Sequence, residues 1–198
     1  MSLFTIGYAT KPIGTFIAQL QRHNIQAVAD VRSVPYSKAF FDYHKEAIEA
    51  RLKCEGIYYV YLGDELGPRS KDDAHYDELG QVQFDRLMAS ALFKAGIDRL
   101  NNGLNKPLSI ALMCAEKDPA TCHRSLLIGH YWTRSYPDVP LEHILHNGEL
   151  ESQSALESRV TKMHAAENDL FMTPCECAHS AYLQQLKLTS YRKPLQKA

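Results

Sequence analysis

The stretch LSIALMCAEKDPATCHRSLLIGH, residues 108–130, carries the pattern that decides the fold. Its apolar start, residues 108–113, predicts a buried strand. Asp118-Pro119 predicts the start of a helix that runs to about Arg134, because aspartate caps backbone N–H groups and proline suits the first helical position. A strand that leads at once into a helix is the unit from which parallel sheets are built.

The same alternation continues on both sides of this stretch. Apolar runs predict further strands at residues 3–6, 25–31, 57–62 and 139–145. Helical spacing of apolar residues and helix-end signals predict helices at residues 13–20, 45–53 and 84–95. The sequence therefore predicts an α/β domain with a mostly parallel central sheet and helices on both faces.

The alternation ends at Asn147-Gly148. Residues 1–147 are predicted to form the α/β domain, and residues 148–198 a C-terminal extension of helices and loops packed on it. The extension contains Cys175, Cys177 and His179, which an extended segment would point to one side. Thiolate and imidazole are zinc-type ligands, but C-x-C-x-H is not a standard spacing. The alternative is a surface tail that happens to hold two thiols.

Composition limits the classes of function. The chain has 198 residues, 45% of them hydrophobic, and a formal net charge of -1, which fits one globular domain and argues against extensive nucleic-acid binding. The sequence shows no bilayer-spanning apolar stretch and no secretory signal, so we expect a cytoplasmic protein without a membrane partner. The five cysteines are expected to be mostly reduced. The sequence predicts no cofactor and leaves the oligomeric state open.

Polar residues gather where the predicted strands end. They are Gly7-Tyr8, Asp30 to Arg32, Gly63 to Glu65 and Cys114 to Glu116. Ligands of open parallel sheets bind beyond the carboxyl ends of the strands, so these positions predict a shared crevice.

The turn after the fourth predicted strand contains most of the candidate catalytic residues. Cys114 or Cys122 could act as a nucleophile or sulfur carrier, with His123 assisting proton transfer. Glu65 and Glu116 are candidates for proton transfer, and Arg32 and Arg124 for holding an anion. Lys45 places a positive charge at a helix start, where it opposes the helix dipole.

Several of these residues also have a structural alternative. Cys114 could be an ordinary core residue, because cysteine is among the most buried residue types. Asp30 and Arg32 could form an internal pair. Arg124 could pair with Asp118 or Glu116 on the surface.

Several segments together carry a family resemblance: Thr5 to Tyr8, Ala29 to Pro35, His44 to Ala47, Leu62 to Gly67, Met113 to Pro119 and Cys122 to Ser125. The chain resembles the domain-of-unknown-function 488 family up to about Leu145, and Ala181 to Tyr191 is similar to that family's tail. The resemblance implies no assigned function. It implies these site positions: Gly7, Tyr8, Asp30, Arg32, Lys45, Glu65, Gly67, Cys114, Glu116, Cys122, His123 and Arg124.

A weaker likeness to rhodanese-like domains fails in detail. Nine residues separate Cys114 from Arg124, too many for a short anion cradle, and Glu116 and Asp118 in that loop would repel an anion.

Three functions remain open at this point. The leading prediction is an enzyme that acts on a small anionic substrate containing phosphate or sulfur. The second is a nucleotide or nucleic-acid binding module without chemistry, which would use aromatic and basic side chains: Tyr8, Tyr36, Phe40, Phe41, Tyr43, Arg32, Lys38 and Lys45. The third is a protein that binds metal through cysteine and histidine.

Overall fold

A computed structural model describes residues 2–164 and 172–194, and a six-stranded sheet forms its centre. The strands are β1 (Leu3–Gly7), β2 (Ala27–Asp30), β3 (Tyr58–Tyr61), β4 (Ile110–Cys114), β5 (Leu141–Ile144) and β6 (Leu150–Ser152). Their order across the sheet is β3-β2-β4-β1-β5-β6. The first five strands are parallel, and β6 runs antiparallel to β5. The predicted α/β class with a mostly parallel sheet is confirmed.

Eight α-helices surround the sheet in the described part of the chain. They are α1 (Ile13–Arg22), α2 (Lys45–Cys54), α3 (Gly63–Leu66), α4 (Phe84–Ala89), α5 (Ala91–Leu104), α6 (His130–Ser135), α7 (Gln153–Met163) and α8 (Pro174–Thr189). Three 3₁₀ turns and a π-helical segment add to them: Phe41–Tyr43, Asp73–His75, Pro119–Thr121 and Arg124–Gly129. Within residues 2–164 and 172–194, no helix is both long and apolar enough to cross a membrane.

Two predicted helices are broken in the structure. The helix predicted at residues 84–95 is divided between α4 and α5, because Ser90 is extended and its hydroxyl accepts a hydrogen bond from the Phe93 backbone N–H. The helix predicted from Pro119 is interrupted at Cys122, which has an extended backbone with φ -126° and ψ 140°. Asp118 does cap the first turn, through a hydrogen bond from the Ala120 backbone N–H to its carboxylate.

The sheet is covered on both faces, and alternation along β4 decides which side chain meets which layer. Ile110, Leu112 and Cys114 point into the core shared with α4, α5, the π-helical segment and α6. Ala111 and Met113 point into the core shared with α1 and α2. Cys114, at the end of β4, therefore points to the same face of the sheet against which Cys122 packs.

The edge strand β6 was not predicted. Asn147-Gly148 lies in the connection between β5 and β6, and Gly148 has the positive φ of 86° that such a turn demands. The predicted boundary at residue 147 thus falls inside a hairpin whose second strand belongs to the central sheet.

The prediction of an extended segment at Cys175, Cys177 and His179 is wrong. These residues lie in α8, which begins with a capping box formed by Thr173 and Glu176 and has Pro174 in its first turn. In a helix, residues two apart point to nearly opposite sides, so Cys177 is buried while Cys175 is exposed. The three side chains do not face one point.

Candidate active site

Four side chains converge at the end of β4. The Cys114 and Cys122 sulfur atoms lie 2.7 and 2.9 Å from the same carboxylate oxygen, Oε2 of Glu116. The Nδ1 atom of His123 lies 3.6 Å from the Cys114 sulfur and 3.9 Å from the Cys122 sulfur. One possible ligand atom from each of these four side chains, which we call the thiol cluster, lies within 4.8 Å of the other three. All four residues are among the site residues predicted from the sequence.

The His123 ring is held by a neighbouring strand. Its Nε2 atom lies 2.9 Å from the carbonyl oxygen of Val31, the residue after β2. A carbonyl only accepts hydrogen bonds, so Nε2 carries the proton and, in the neutral ring, Nδ1 presents its lone pair to the thiols. The cluster therefore receives an imidazole of fixed orientation.

Burial and mutual contact shift the protonation of the cluster. Burial and the Cys122 contact raise the pKa of the Cys114 thiol well above its ordinary value. Burial also opposes ionisation of Cys122, but the contact with Cys114, the positive charge of Arg124 and the contact with His123 outweigh it and hold the pKa of the Cys122 thiol well below its ordinary value. Burial raises the pKa of Glu116. The cluster thus concentrates negative charge on the Cys122 side.

Arg124 lies behind the cluster and is fully buried. Its guanidinium donates to the Glu116 carbonyl at 2.8 Å, to the Lys117 carbonyl at 3.5 Å and to the Thr5 hydroxyl at 3.3 Å. Within the described ranges no carboxylate lies at ion-pair distance from it. Because it does not reach solvent, its predicted role in holding an anionic substrate gains no support from this placement.

A buried hydrogen-bond chain continues from Arg124 to α7. The Thr5 hydroxyl lies 2.8 Å from Nδ1 of His143, and Nε2 of His143 lies 2.9 Å from the Gln153 side-chain oxygen. Burial, followed by the charge of Arg124, lowers the pKa of His143 to about 3. His143 is therefore neutral at physiological pH and serves this chain as a hydrogen-bonding group.

Arg32 and Asp30 form the internal pair that was the structural alternative. Two nitrogen atoms of Arg32 bind both carboxylate oxygens of Asp30, at 2.8 and 2.6 Å, and a third donates to the Tyr43 carbonyl. The same guanidinium donates to the Tyr8 hydroxyl at 3.3 Å. Asp30 also accepts from the Tyr59 hydroxyl. These bonds stiffen the side of the cleft next to the cluster.

The cluster lies at the floor of a polar cleft of about 260 Å³. Cys114, Glu116 and His123 line it from below. A second cavity of about 190 Å³ reaches Glu116 and His123 from the other side. Both cavities are bounded by Arg69. Their size suits a small ligand.

Arg69 is the residue that sequence analysis missed. It is exposed, and within the described ranges no carboxylate pairs with it. Its guanidinium carbon lies 4.8 Å above the Tyr191 ring, and its backbone N–H donates to the Ser33 hydroxyl. The sequence offered one indication of a role for Arg69. It lies in the long polar segment from Gly63 to Gly80, and long connecting segments often carry functional residues.

The last described residues form one wall of the second cavity. The backbone N–H of Val82 donates to the Tyr191 carbonyl, and that of Lys193 donates to the Gly80 carbonyl. The Ser190 hydroxyl is buried, lines this cavity and finds no hydrogen-bond partner in residues 2–164 and 172–194.

Gly7 and Gly67 have packing roles in the structure. A Cβ atom on Gly7 would lie 1.9 Å from the Glu116 carbonyl oxygen, and one on Gly67 would lie 2.2 Å from the Ser33 hydroxyl. Their hydrogen side chains allow neighbouring segments to approach, which brings the loop with Glu116 down onto β1.

The side chains of Glu65 and Lys45 do not contact the thiol cluster. The Glu65 carboxylate pairs with Arg99 on α5 and borders a separate cavity. The Lys45 ammonium lies 4.5 Å from the centre of the Tyr61 ring. Their predicted roles remain predictions without a contact to the thiol cluster.

The aromatic residues predicted for nucleic-acid binding divide into two groups. Tyr8 and Tyr43 are buried and stack on each other with ring centres 4.2 Å apart, and Phe40 packs against Tyr8. Tyr36 and Phe41 are exposed, and Tyr36 lines the cleft. Only the second pair is exposed, and both of its rings pack against the His44 ring.

Comparison with known proteins gives one family. A family model with the description "Domain of unknown function DUF488" matches residues 12–130, more than half of the chain. No curated protein and no solved structure matches. The matched region contains the whole thiol cluster.

Proposed function

We propose a function from the premise that this chain belongs to the family of the domain of unknown function DUF488. The protein is an enzyme that acts on a small anionic substrate, containing phosphate or sulfur, in the cleft above the thiol cluster. It works in the cytoplasm, where its thiols remain reduced.

One observation carries this proposal. Cys114, Glu116 and His123 line an open polar cleft at the carboxyl ends of parallel strands, and the buried Cys122 converges with them. Four groups able to transfer protons, donate electron pairs or bind a metal are costly to bury together, because each loses its hydration. At positions with only a structural role, apolar side chains would cost less free energy to bury.

The preference for an anion rests on Arg69. Arg32 is occupied by Asp30 and Arg124 is fully buried, so Arg69 is the exposed guanidinium on the cleft. An arginine fork matches the geometry of phosphate, sulfate and carboxylate groups. Hydroxyl groups of Ser33, Ser37 and Tyr36 along the same cleft add hydrogen-bonding positions for a polar ligand.

The reaction class that fits is hydrolysis or group transfer at an electrophilic atom close to the anion. In the hydrolytic form, the oxygen of water makes the new bond to phosphorus or to a carbonyl carbon. The bond to the leaving group breaks, the leaving group keeps that electron pair, and it receives the proton that water gives up. The thiol cluster stands where this proton transfer and charge development would take place.

A substrate panel tests the proposal. Phosphate monoesters, phosphodiesters, thioesters and small nucleotides are incubated with the protein, and product is followed by mass spectrometry. We expect turnover of at least one anionic compound, and loss of that turnover in Cys114→Ser and Cys122→Ser variants that remain folded. The exposed-cysteine variant Cys54→Ser is the matched control and retains turnover. Equal turnover in all variants would remove the cluster from the reaction.

A second candidate function is nucleic-acid binding without chemistry. The observation that favours it is that Tyr36, Phe41 and Lys38 are exposed in one short segment and that Tyr36 lines the cleft. Labelled RNA and DNA oligonucleotides at low salt provide the test. Binding that weakens steeply with salt and disappears in Tyr36→Ala would support it, and no binding at low salt would end it.

A further inference from the structure

We propose that Cys114, Glu116, Cys122 and His123 bind a divalent metal ion of the zinc class. This inference concerns the same cluster as the proposed function and goes beyond that function, because it names a metal that the four side chains would hold. It does not depend on turnover of any substrate.

The geometry of the cluster is close to that of a tetrahedral site. Zinc–ligand bond lengths place sulfur and nitrogen ligands about 3.6 Å apart around one ion. The observed distances from Nδ1 of His123 to the two sulfur atoms are 3.6 and 3.9 Å. The sulfur–carboxylate distances, 2.7 and 2.9 Å, are shorter. The Glu116 carboxylate must therefore move back by about 0.8 Å to admit the ion, a shift within reach of its side-chain torsions.

His123 has the support that metal-binding histidines use. Its Nε2–H donates to the Val31 carbonyl, which leaves Nδ1 as the ligating atom and fixes the plane of the ring. The histidine is thus already in the correct tautomer and orientation.

Arg124 supplies an independent argument from charge. It is a fully buried cation whose contacts are carbonyl and hydroxyl oxygens, and within the described ranges it has no carboxylate at ion-pair distance. A buried charge without a partner is strongly unfavourable. Two thiolates and one carboxylate around a doubly charged ion leave a net charge of about -1. The loaded centre would therefore keep a net negative charge beside Arg124, on the side where the Cys122 thiolate lies.

The types of ligand select the metal. Thiolate and imidazole bind zinc and similar transition-metal ions, whereas magnesium and calcium prefer oxygen ligands. Among the residues that the structure describes, no other group of three or more Cys, His, Asp or Glu side chains was found to bring its ligand atoms together. The second cysteine pair, Cys175 and Cys177, lies in α8 outside this group.

The supporting backbone favours a pre-formed site. Cys114 ends a central strand, and the turn that carries Cys122 is fixed by Asp118, whose carboxylate caps Ala120 and pairs with Arg159 on α7. Ligands held this way lose little freedom on binding an ion.

Metal analysis of the full chain, purified without a histidine tag, is the first experiment. We expect about one zinc ion per chain, or one Co²⁺ taken up by chelator-treated protein with the near-ultraviolet sulfur-to-cobalt bands of a thiolate site. Cys122→Ser should lower the affinity by more than about 100-fold, beyond the 10- to 100-fold effect of outer contacts. Cys54→Ser and Cys175→Ser, which change exposed thiols, should leave it unaltered.

X-ray absorption of the wild-type protein keeps the proposal open to refutation even if the ligand variants fail to fold. A first shell of two sulfur atoms at about 2.3 Å and two nitrogen or oxygen atoms at about 2.0–2.1 Å supports it. A first shell without sulfur would overturn it. So would wild-type protein that takes up neither zinc nor cobalt, or a folded Cys122→Ser variant with unchanged affinity.

The outcomes for the metal and for the enzyme are separable. Stoichiometric metal with this first shell, but no turnover on the substrate panel, would uphold the metal centre and leave the proposed reaction unsupported. Turnover by protein that binds neither ion would uphold the reaction and overturn the metal centre.

Discussion

The Nε2 atom of His123 lies 2.9 Å from the carbonyl oxygen of Val31, and this contact determines which ring nitrogen faces the two thiols. Val31 follows β2, and its backbone N–H donates to the Met113 carbonyl, one residue before Cys114. Strand pairing in the sheet therefore controls the orientation of a side chain in the cluster.

The first prediction concerns the His123 tautomer. Long-range ¹H–¹⁵N spectra should show the proton on Nε2 and none on Nδ1 in the neutral ring, because only an N–H can satisfy the Val31 carbonyl. The zinc-loaded protein should keep this pattern with a shifted Nδ1 resonance. A proton found on Nδ1 of the neutral ring would contradict both the contact and the metal centre.

The second prediction concerns Gly7. A Cβ atom there would meet the Glu116 carbonyl at 1.9 Å and the Arg124 guanidinium at 3.1 Å. Gly7→Ala should displace the Glu116 loop, lower the free energy of unfolding by about 1–3 kcal/mol and weaken zinc binding by more than about tenfold. Chemical denaturation and metal titration measure the two effects.

Gly14→Ala is the matched control for Gly7→Ala. Gly14 lies in α1 and has nothing within 4 Å of an added Cβ atom. Alanine should raise stability there by about 0.5–1 kcal/mol, because it favours helix, and metal binding should not change. Equal effects of the two substitutions would contradict the close packing at Gly7.

The third prediction concerns Arg124. Arg124→Met removes a buried positive charge next to the cluster and replaces it with a shorter, unbranched apolar side chain. We expect zinc affinity to fall by about 10- to 100-fold, since the loaded centre loses its charge partner. Arg134→Met, at an exposed arginine that pairs with Glu157, is the control. Unchanged zinc affinity in a folded Arg124→Met protein would refute the charge argument.

The fourth prediction is a pH dependence of stability from His143. Its pKa is lowered to about 3 by burial, so the folded state binds fewer protons than the unfolded state. Its stabilising contribution is complete above the unfolded pKa of about 6.5 and is lost as pH falls toward 3. Between pH 7 and pH 5 the loss is about 2 kcal/mol.

Denaturation of wild type and His143→Gln across this pH range measures the effect. The slope of the free energy of unfolding should be shallower in the variant. Acid release of a bound metal affects both proteins, so the difference between their slopes isolates His143. Parallel curves would show that His143 does not titrate in the way its burial implies.

The fifth prediction concerns Arg69. Arg69→Gln should raise the KM for an anionic substrate by about 10- to 100-fold, since one charge-assisted contact is lost, while kcat changes little. Arg51→Gln, which alters a surface arginine paired with Glu55 on α2, is the control. Zinc content should be normal in both variants. An unaltered KM would mean that the anion is held elsewhere.

The sheet was predictable because most of its strands are apolar in composition and are bounded by polar or turn-forming residues. Strands β1, β2 and β4 are buried, mainly apolar runs that end in Gly7, Asp30 and Cys114, as buried strands of α/β proteins do. The edge strand β6 has only three residues, Leu150, Glu151 and Ser152, and two of them are polar, so its composition does not mark it. Its one signal was Asn147-Gly148, a hairpin dipeptide.

The errors in the predicted helices have two causes. One helix-start signal was given less weight than the spacing of cysteines, and two helix breaks are not marked by apolar spacing. Thr173-Pro174-Cys175-Glu176 is a capping box with an early proline, which predicts a helix, yet the spacing of the thiols had favoured an extended segment. Ser90 and Cys122 break predicted helices through backbone angles that apolar periodicity does not encode.

The residues of the thiol cluster were predictable from the sequence. The position of Arg69 and the depth of Arg124 were not. Cys114, Glu116, Cys122 and His123 lie within one short stretch, so a strand-to-helix turn was enough to bring them together. Arg69 approaches from another loop and rests on Tyr191 near the other end of the chain. Only the fold decides such a contact, and the same is true of the depth at which Arg124 lies.

The wall formed by Ser190 and Tyr191 lies outside residues 12–130, whereas the floor formed by the thiol cluster lies within them. In the proposed enzyme, the C-terminal extension would therefore add a wall to a site whose thiols come from the family region. Substitutions in this wall would change the shape of the second cavity and leave the four residues of the thiol cluster in place. In evolutionary terms, the wall can vary independently of the cluster.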